Sequence, residues 1–103
     1  MAFISMMRMH GDPDELSEKI LEHVRPVARR LSPKHGGLGT ILARTEDGVL
    51  AINLWTSVEG RQAMAAEPEM QEAVATSGLP QPDFEALEIV DLELQLEGLN
   101  ALL

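Results

Sequence analysis

Leu38-Gly39-Thr40-Ile41-Leu42-Ala43-Arg44-Thr45-Glu46-Asp47-Gly48-Val49-Leu50-Ala51-Ile52-Asn53-Leu54-Trp55 reads as two apolar runs, 38–45 and 49–55, on either side of Glu46-Asp47-Gly48. Asp-Gly between apolar runs is a strong hairpin signal. A two-residue turn at Asp47-Gly48 places Arg44 opposite Ala51, Leu42 opposite Asn53 and Thr40 opposite Trp55. Successive strand side chains point to opposite faces, so Ile41 and Ala43 then share a face with Leu50, Ile52 and Leu54. That face is wholly apolar and is expected to take the helices. The other carries Thr40, Arg44, Asn53 and Trp55, a mixture suited to a cavity or a partner. A three-residue loop would mix the two sets, which favours an even-length turn.

Upstream, residues 2–10 are apolar and end at Gly11, which suits a strand. Asp12-Pro13-Asp14-Glu15 opens a helix: Asp12 caps, Pro13 fits the first position and Glu15 completes a capping box. Leu16, Ile20, Val24, Val27 and Leu31 form one helical stripe. Acids crowd its start and arginines its end, as the helix dipole favours. Pro26 removes a backbone bond and is expected to kink the helix near 22–26. Downstream of the hairpin, Thr56 or Ser57 caps a second helix, which Pro68 restarts and Gly78 ends. Residues 84–97 read as a last long strand, with Val90, Leu92, Leu94 and Leu96 alternating with polar residues. Leu87 and Ile89 have the opposite parity, so a bulge or a change of cover is expected near 89–90.

The order β-α-β-β-α-β predicts an α+β, ferredoxin-like fold with an antiparallel sheet and helices on one face. All 103 residues fit one domain, since halves of ~50 residues would lie near the lower limit for a core. The apolar tail, residues 98–103, has no assigned structure. The sheet face carrying Leu42, Ala51 and Trp55 is too apolar to leave wet, and a second copy of the chain is the simplest cover. A homodimer is therefore expected.

Charge limits the other partners. Eight basic and seventeen acidic residues give a net charge of −9. All the bases lie in the first 61 positions. Without a positive field or a row of aromatics, nucleic acid is a poor partner, and anionic membrane is disfavoured for the same reason. No apolar run approaches the ~20 residues of a membrane span, and the N-terminus does not read as a signal peptide. A cytoplasmic location is the expectation. The chain has no cysteine, hence no disulfide, thiolate metal site or cysteine nucleophile. Met6, Met7, Met9 and His10 do not make a metal site, because adjacent strand residues point apart. No serine–histidine–acid set or phosphate loop is present.

Asn53-Leu54-Trp55-Thr56-Ser57-Val58-Glu59, then Ala63 and Glu67-Pro68-Glu69-Met70, resembles the antibiotic biosynthesis monooxygenase-like family of dimeric α/β barrels. The likeness in element order spans roughly residues 2–97; the residue-level match is confined to 53–70. The resemblance implies a ferredoxin-like chain pairing into a dimeric α/β barrel. It also implies cofactor-independent oxygenation of a small aromatic or polyketide-like substrate in a cavity of the homodimer. A non-catalytic binding module and a structural homodimer are the alternatives. In oxygenase members an asparagine and a tryptophan of this strand line the cavity, which makes Asn53 a candidate catalytic residue and Trp55 a substrate-binding one. Their plainer roles are a bonded spacer and a dimer anchor.

Arg44 lies on the same inferred face. Arg8 and His10 join it if strand 1 turns Ile4, Met6, Arg8 and His10 that way. The arginines would then hold a substrate anion, and His10 would act as a base near neutral pH. Otherwise Arg8 and Arg44 pair with the acidic last strand, and His10 sits exposed at a strand end. Haem-degrading relatives use a second-helix histidine and a strand-1 asparagine. Here helix 2, from Val58 to Ser77, has no histidine and strand 1 has no asparagine. Neither a cofactor nor a metal is expected.

Overall fold

The computed structural model describes residues 1–99. The tail lies largely outside them. Strand β1, Phe3–His10, leads into α1, Pro13–Lys19, with Asp12 accepting from the backbone N–H groups of Asp14 (2.9 Å) and Glu15 (3.1 Å). A π-helical turn, Ile20–Val24, joins α1 to α2, Arg25–Leu31. It lies where Pro26 predicts a disturbance: the ring has no N–H to give, and one wider turn absorbs the defect without ending the helix. A 3₁₀ turn, Ser32–His35, ends at Gly36, whose φ of 84° suits glycine.

Strand β2, Gly37–Thr45, and β3, Gly48–Trp55, form the expected hairpin, but its turn lies one residue earlier. Thr45 pairs with Gly48, Leu42 with Ala51 and Thr40 with Asn53. The two turn residues are therefore Glu46 and Asp47. Gly48 does not have a positive φ. It is a strand residue, and a Cβ there would run into the backbone carbonyl of Met9 on β1. Close strand approach, rather than turn geometry, requires this glycine. The pairing is shifted by two residues, so the division of side chains between the faces survives.

Helix α3, Val58–Ala65, is capped by Ser57, whose hydroxyl accepts from Gly60 N–H at 3.0 Å. The Thr56–Glu59 box does not form; the N–H of Thr56 donates to Gly36 O at 2.9 Å. Pro68 opens α4, Pro68–Ser77, and Gly78 ends it with φ 74°. Strand β4, Asp83–Glu88, is much shorter than the expected 84–97. It pairs only with β1, where Phe3 faces Glu88, and the last contact is Ile89 N–H to Ala2 O at 3.0 Å. The alternating segment that follows forms no ladder among the described residues. Val90 is 96% exposed. A short helix α5, Leu96–Leu99, follows.

The sheet is antiparallel, in the order β2-β3-β1-β4, and the fold is ferredoxin-like. Its helix-covered side is the reverse of the one expected. Val49 and Trp55 are buried, in clusters with Leu16 and Ile20 of the first helical run and with Met64 of α3 respectively. Ile41, on the wholly apolar face, is 55% exposed. Apolar content does not reveal which face meets the chain's own helices; crossover handedness does, and no residue pattern carries it.

Candidate functional site

The helices do not close fully onto the sheet. Between them lies a cleft of about 710 Å³. Its floor is the helix side of β1, β2 and β3, including Ser5, Met7, Thr40, Leu42, Ala51, Asn53 and Trp55. Val24, Ala28, Met64, Met70 and Val74 of the helices contribute to its roof. The volume falls in the range of small-molecule sites, and the lining is largely apolar with a few polar groups, as such sites are.

Two site residues expected from sequence meet here. Asn53 is half-buried on the floor, beside Ser5 on β1 and Thr40 on β2 in the strand pairing. Trp55 is 6% exposed; its ring packs with Phe3 and Met64, and its Nε1–H donates to Ser5 Oγ at 3.3 Å. That bond satisfies the indole's one donor, leaving apolar ring surface toward the cleft. The cavity is on the helix side of the sheet, not between a helix-free face and a second subunit as the inverted face assignment required.

The other three expected residues do not gather with them. Arg8 pairs with Leu50 and lies on the opposite face, beside a shallow hollow lined by Met6, Leu50, Asp83, Phe84 and Glu85. His10 shares that parity. Its Nδ1 lies 2.9 Å from Asp47 and its Nε2 3.1 Å from Asp83, tying the hairpin turn to β4. Both ring nitrogens therefore face carboxylates, which raises the His10 pKa and lowers that of Asp47, chiefly through the hydrogen bonds. Arg44 keeps the parity of Asn53, but its guanidinium is exposed and bound to Asp14 of α1. It pairs with an acid after all, though on a helix rather than the last strand.

Three arginines line the cleft instead: Arg25, Arg29 and Arg61. The signal for Arg61 lies in the sequence. It is three residues before Met64, so it shares the face that α3 turns to Trp55. Arg25 and Arg29 are one turn apart and border the Val24–Ala28 row in the same manner. Dipole complementarity accounts for arginines near that helix end without revealing which way they face. Among the described residues lining the cleft there is no aspartate, glutamate or histidine.

A one-sided ferredoxin-like sheet with a cleft beneath its helices defines the fold class. Within it, the chain has the fold of the antibiotic biosynthesis monooxygenase structures. It is similar to a Chloroflexus aurantiacus protein assigned as an antibiotic biosynthesis monooxygenase, with a TM-score of 0.70 at 17% identity over 90% of this chain and 97% of that one. It is similar to SnoaB, a cofactor-independent oxygenase from Streptomyces nogalater, with a TM-score of 0.63 at 19% identity, covering 88% and 93% of the two chains. A Streptomyces coelicolor monooxygenase in complex with nanaomycin D gives 0.66 at 18% identity, covering 90% and 91%. No family model matches the sequence, and neither does any curated protein. Among the described residues no helix is long and apolar enough to cross a membrane.

Proposed function

We propose that the protein is an antibiotic biosynthesis monooxygenase-like oxygenase that takes a small aromatic or polyketide-like molecule into the helix-side cleft and works as a homodimer. The cleft carries this reading: a largely apolar space of about 710 Å³ with Asn53 and Trp55 on its wall. In the cofactor-free reaction, an activated CH₂ of the substrate ionises to an electron-rich carbanion that reacts with O₂. The CH₂ becomes C=O, and the second oxygen atom leaves as water with the two hydrogens, so no external reductant is needed. Trp55 packs the ring system. The Asn53 amide donates to the oxygen on which negative charge develops.

Two features support a second copy of the chain. The helix-free face carries Ile4, Met6, Ile41, Leu50, Ile52 and Leu87, apolar residues that no element of the chain covers among the described residues. The alternating segment after β4 also keeps Leu92 and Leu94 half exposed.

Binding without turnover is the second reading. It is favoured by the lack of any carboxylate or imidazole base among the described lining residues. Oxygen uptake with anthrone-type phenols separates the two. The oxygenase reading expects one O₂ consumed per substrate, with turnover in Asn53→Ala lowered about 10- to 100-fold, as loss of one charge-stabilising hydrogen bond gives. Saturable binding with no oxygen uptake leaves the binding module.

A further inference from the structure

We infer that the cleft is selective for apolar molecules bearing a carboxylate, and that Arg61 is the residue that holds the charge. This rests on the cleft being a ligand site, as proposed above. The charges around the cleft run against those of the chain as a whole. Acids outnumber bases seventeen to eight, yet the described lining has three arginines and no acid. A lining with cations and no acid favours an anion.

Arg61 is the best placed of the three. Lys19, Arg30 and Arg44 are each paired with a carboxylate, but among the described residues none lies within 4.0 Å of Arg61. Its guanidinium carbon lies 4.3 Å from the centroid of the Phe84 ring on β4. That contact holds the cation without occupying its N–H donors. The group is half-buried, and burial alone pushes its pKa down, with no anion to offset the loss of water. An arginine that merely covers apolar surface with its stem would keep its head in water. Here the head is partly desolvated and its donor fork is open, which matches the two oxygens of a carboxylate. A carboxylate also arrives already ionised, so a cleft without a base can take it.

The test is a fluorescence titration of the full chain with anthracene-2-carboxylate and with anthracene-2-carboxamide, which share a ring system and differ in charge. Wild type should bind the carboxylate about 10- to 100-fold more tightly, the range for a hydrogen-bonded charge pair. Arg61→Gln should abolish that preference while leaving the carboxamide Kd within about twofold, and Arg61→Lys should retain part of it. Equal binding of the two probes by wild type overturns the inference and leaves the ligand site standing. So does an Arg61→Gln variant that weakens both probes alike, since that is a structural role. Binding of neither probe, as a cleft filled by protein would give, overturns both readings. Should Arg61→Gln fail to fold, the wild-type ratio and Arg61→Lys still decide.

Discussion

His10 shows how one residue's surroundings override its type. An imidazole on an apolar strand suggests a general base, but this one is held between Asp47 and Asp83, away from the cleft. Its folded-state pKa is raised above the usual 6.5, so its contribution to stability is complete below that pH. The contribution disappears as pH rises through the raised folded value. Asp47 is held below its usual 3.8, so its share is present above 3.8 and is lost as pH falls through the depressed value. Comparing thermal unfolding of wild type and His10→Gln should therefore show the largest gap at about pH 4–6 and little at about pH 9. A gap that is the same at all pH values would mean that the ion pairs contribute nothing. The proposed oxygenation, in contrast, should be insensitive to His10→Gln, because the side chain lies outside the candidate cleft.

At the scale of elements, the junction of the 3₁₀ turn with α3 is a close backbone approach. Gly60 is in the first turn of α3, and a Cβ there would run into the backbone carbonyl of His35. The His35 ring is in turn tied to Glu67 at 3.1 Å, next to the start of α4. Alanine would gain about 1 kcal/mol in helix propensity over glycine. A backbone carbonyl cannot swing aside as a flexible side chain can, so the collision should win. Gly60→Ala is expected to cost about 1–3 kcal/mol, the usual price of overpacking, and to displace the helix that carries Arg61 and Met64. Gly39→Ala, with open space at the same distance, is the control and should be close to neutral. Urea unfolding of the two variants checks this; equal midpoints would show that α3 yields easily.

For the whole molecule, the proposed homodimer puts the helix-free sheet face at its interface. A stable homodimer would bury roughly 1,200–2,000 Å² of surface in total. Ile41 lies on that face and is 55% exposed in the single chain. Ile41→Glu places a carboxylate where the second copy would sit and leaves the chain's own core untouched. Sedimentation should show a dimer for wild type and a monomer of 11.3 kDa for the variant, with little change in the far-UV spectrum. A wild-type chain that sediments as a monomer at micromolar concentration would rule out the dimer, and with it the expected cover for this face.

The sequence determined the elements and their order, because capping residues, turn glycines and apolar periods act over a few neighbours. Asp12, Gly78 and the parity of Thr40, Asn53 and Trp55 could all be read locally. It also placed Asn53 and Trp55 on one face, since parity survives a register shift of two. Only the tertiary structure decided which face the helices cover, because crossover handedness is a property of the whole chain path. It likewise ended β4 at Glu88, because strand pairing is a long-range contact that an alternating pattern does not guarantee. The charges were sorted the same way. Arg8, Arg44 and His10 were the visible cations, but distant carboxylates or the far side of the sheet claimed them. That Arg61 shares a face of α3 with Met64 is legible in the sequence, but that this face meets Trp55 is decided only once the chain has folded.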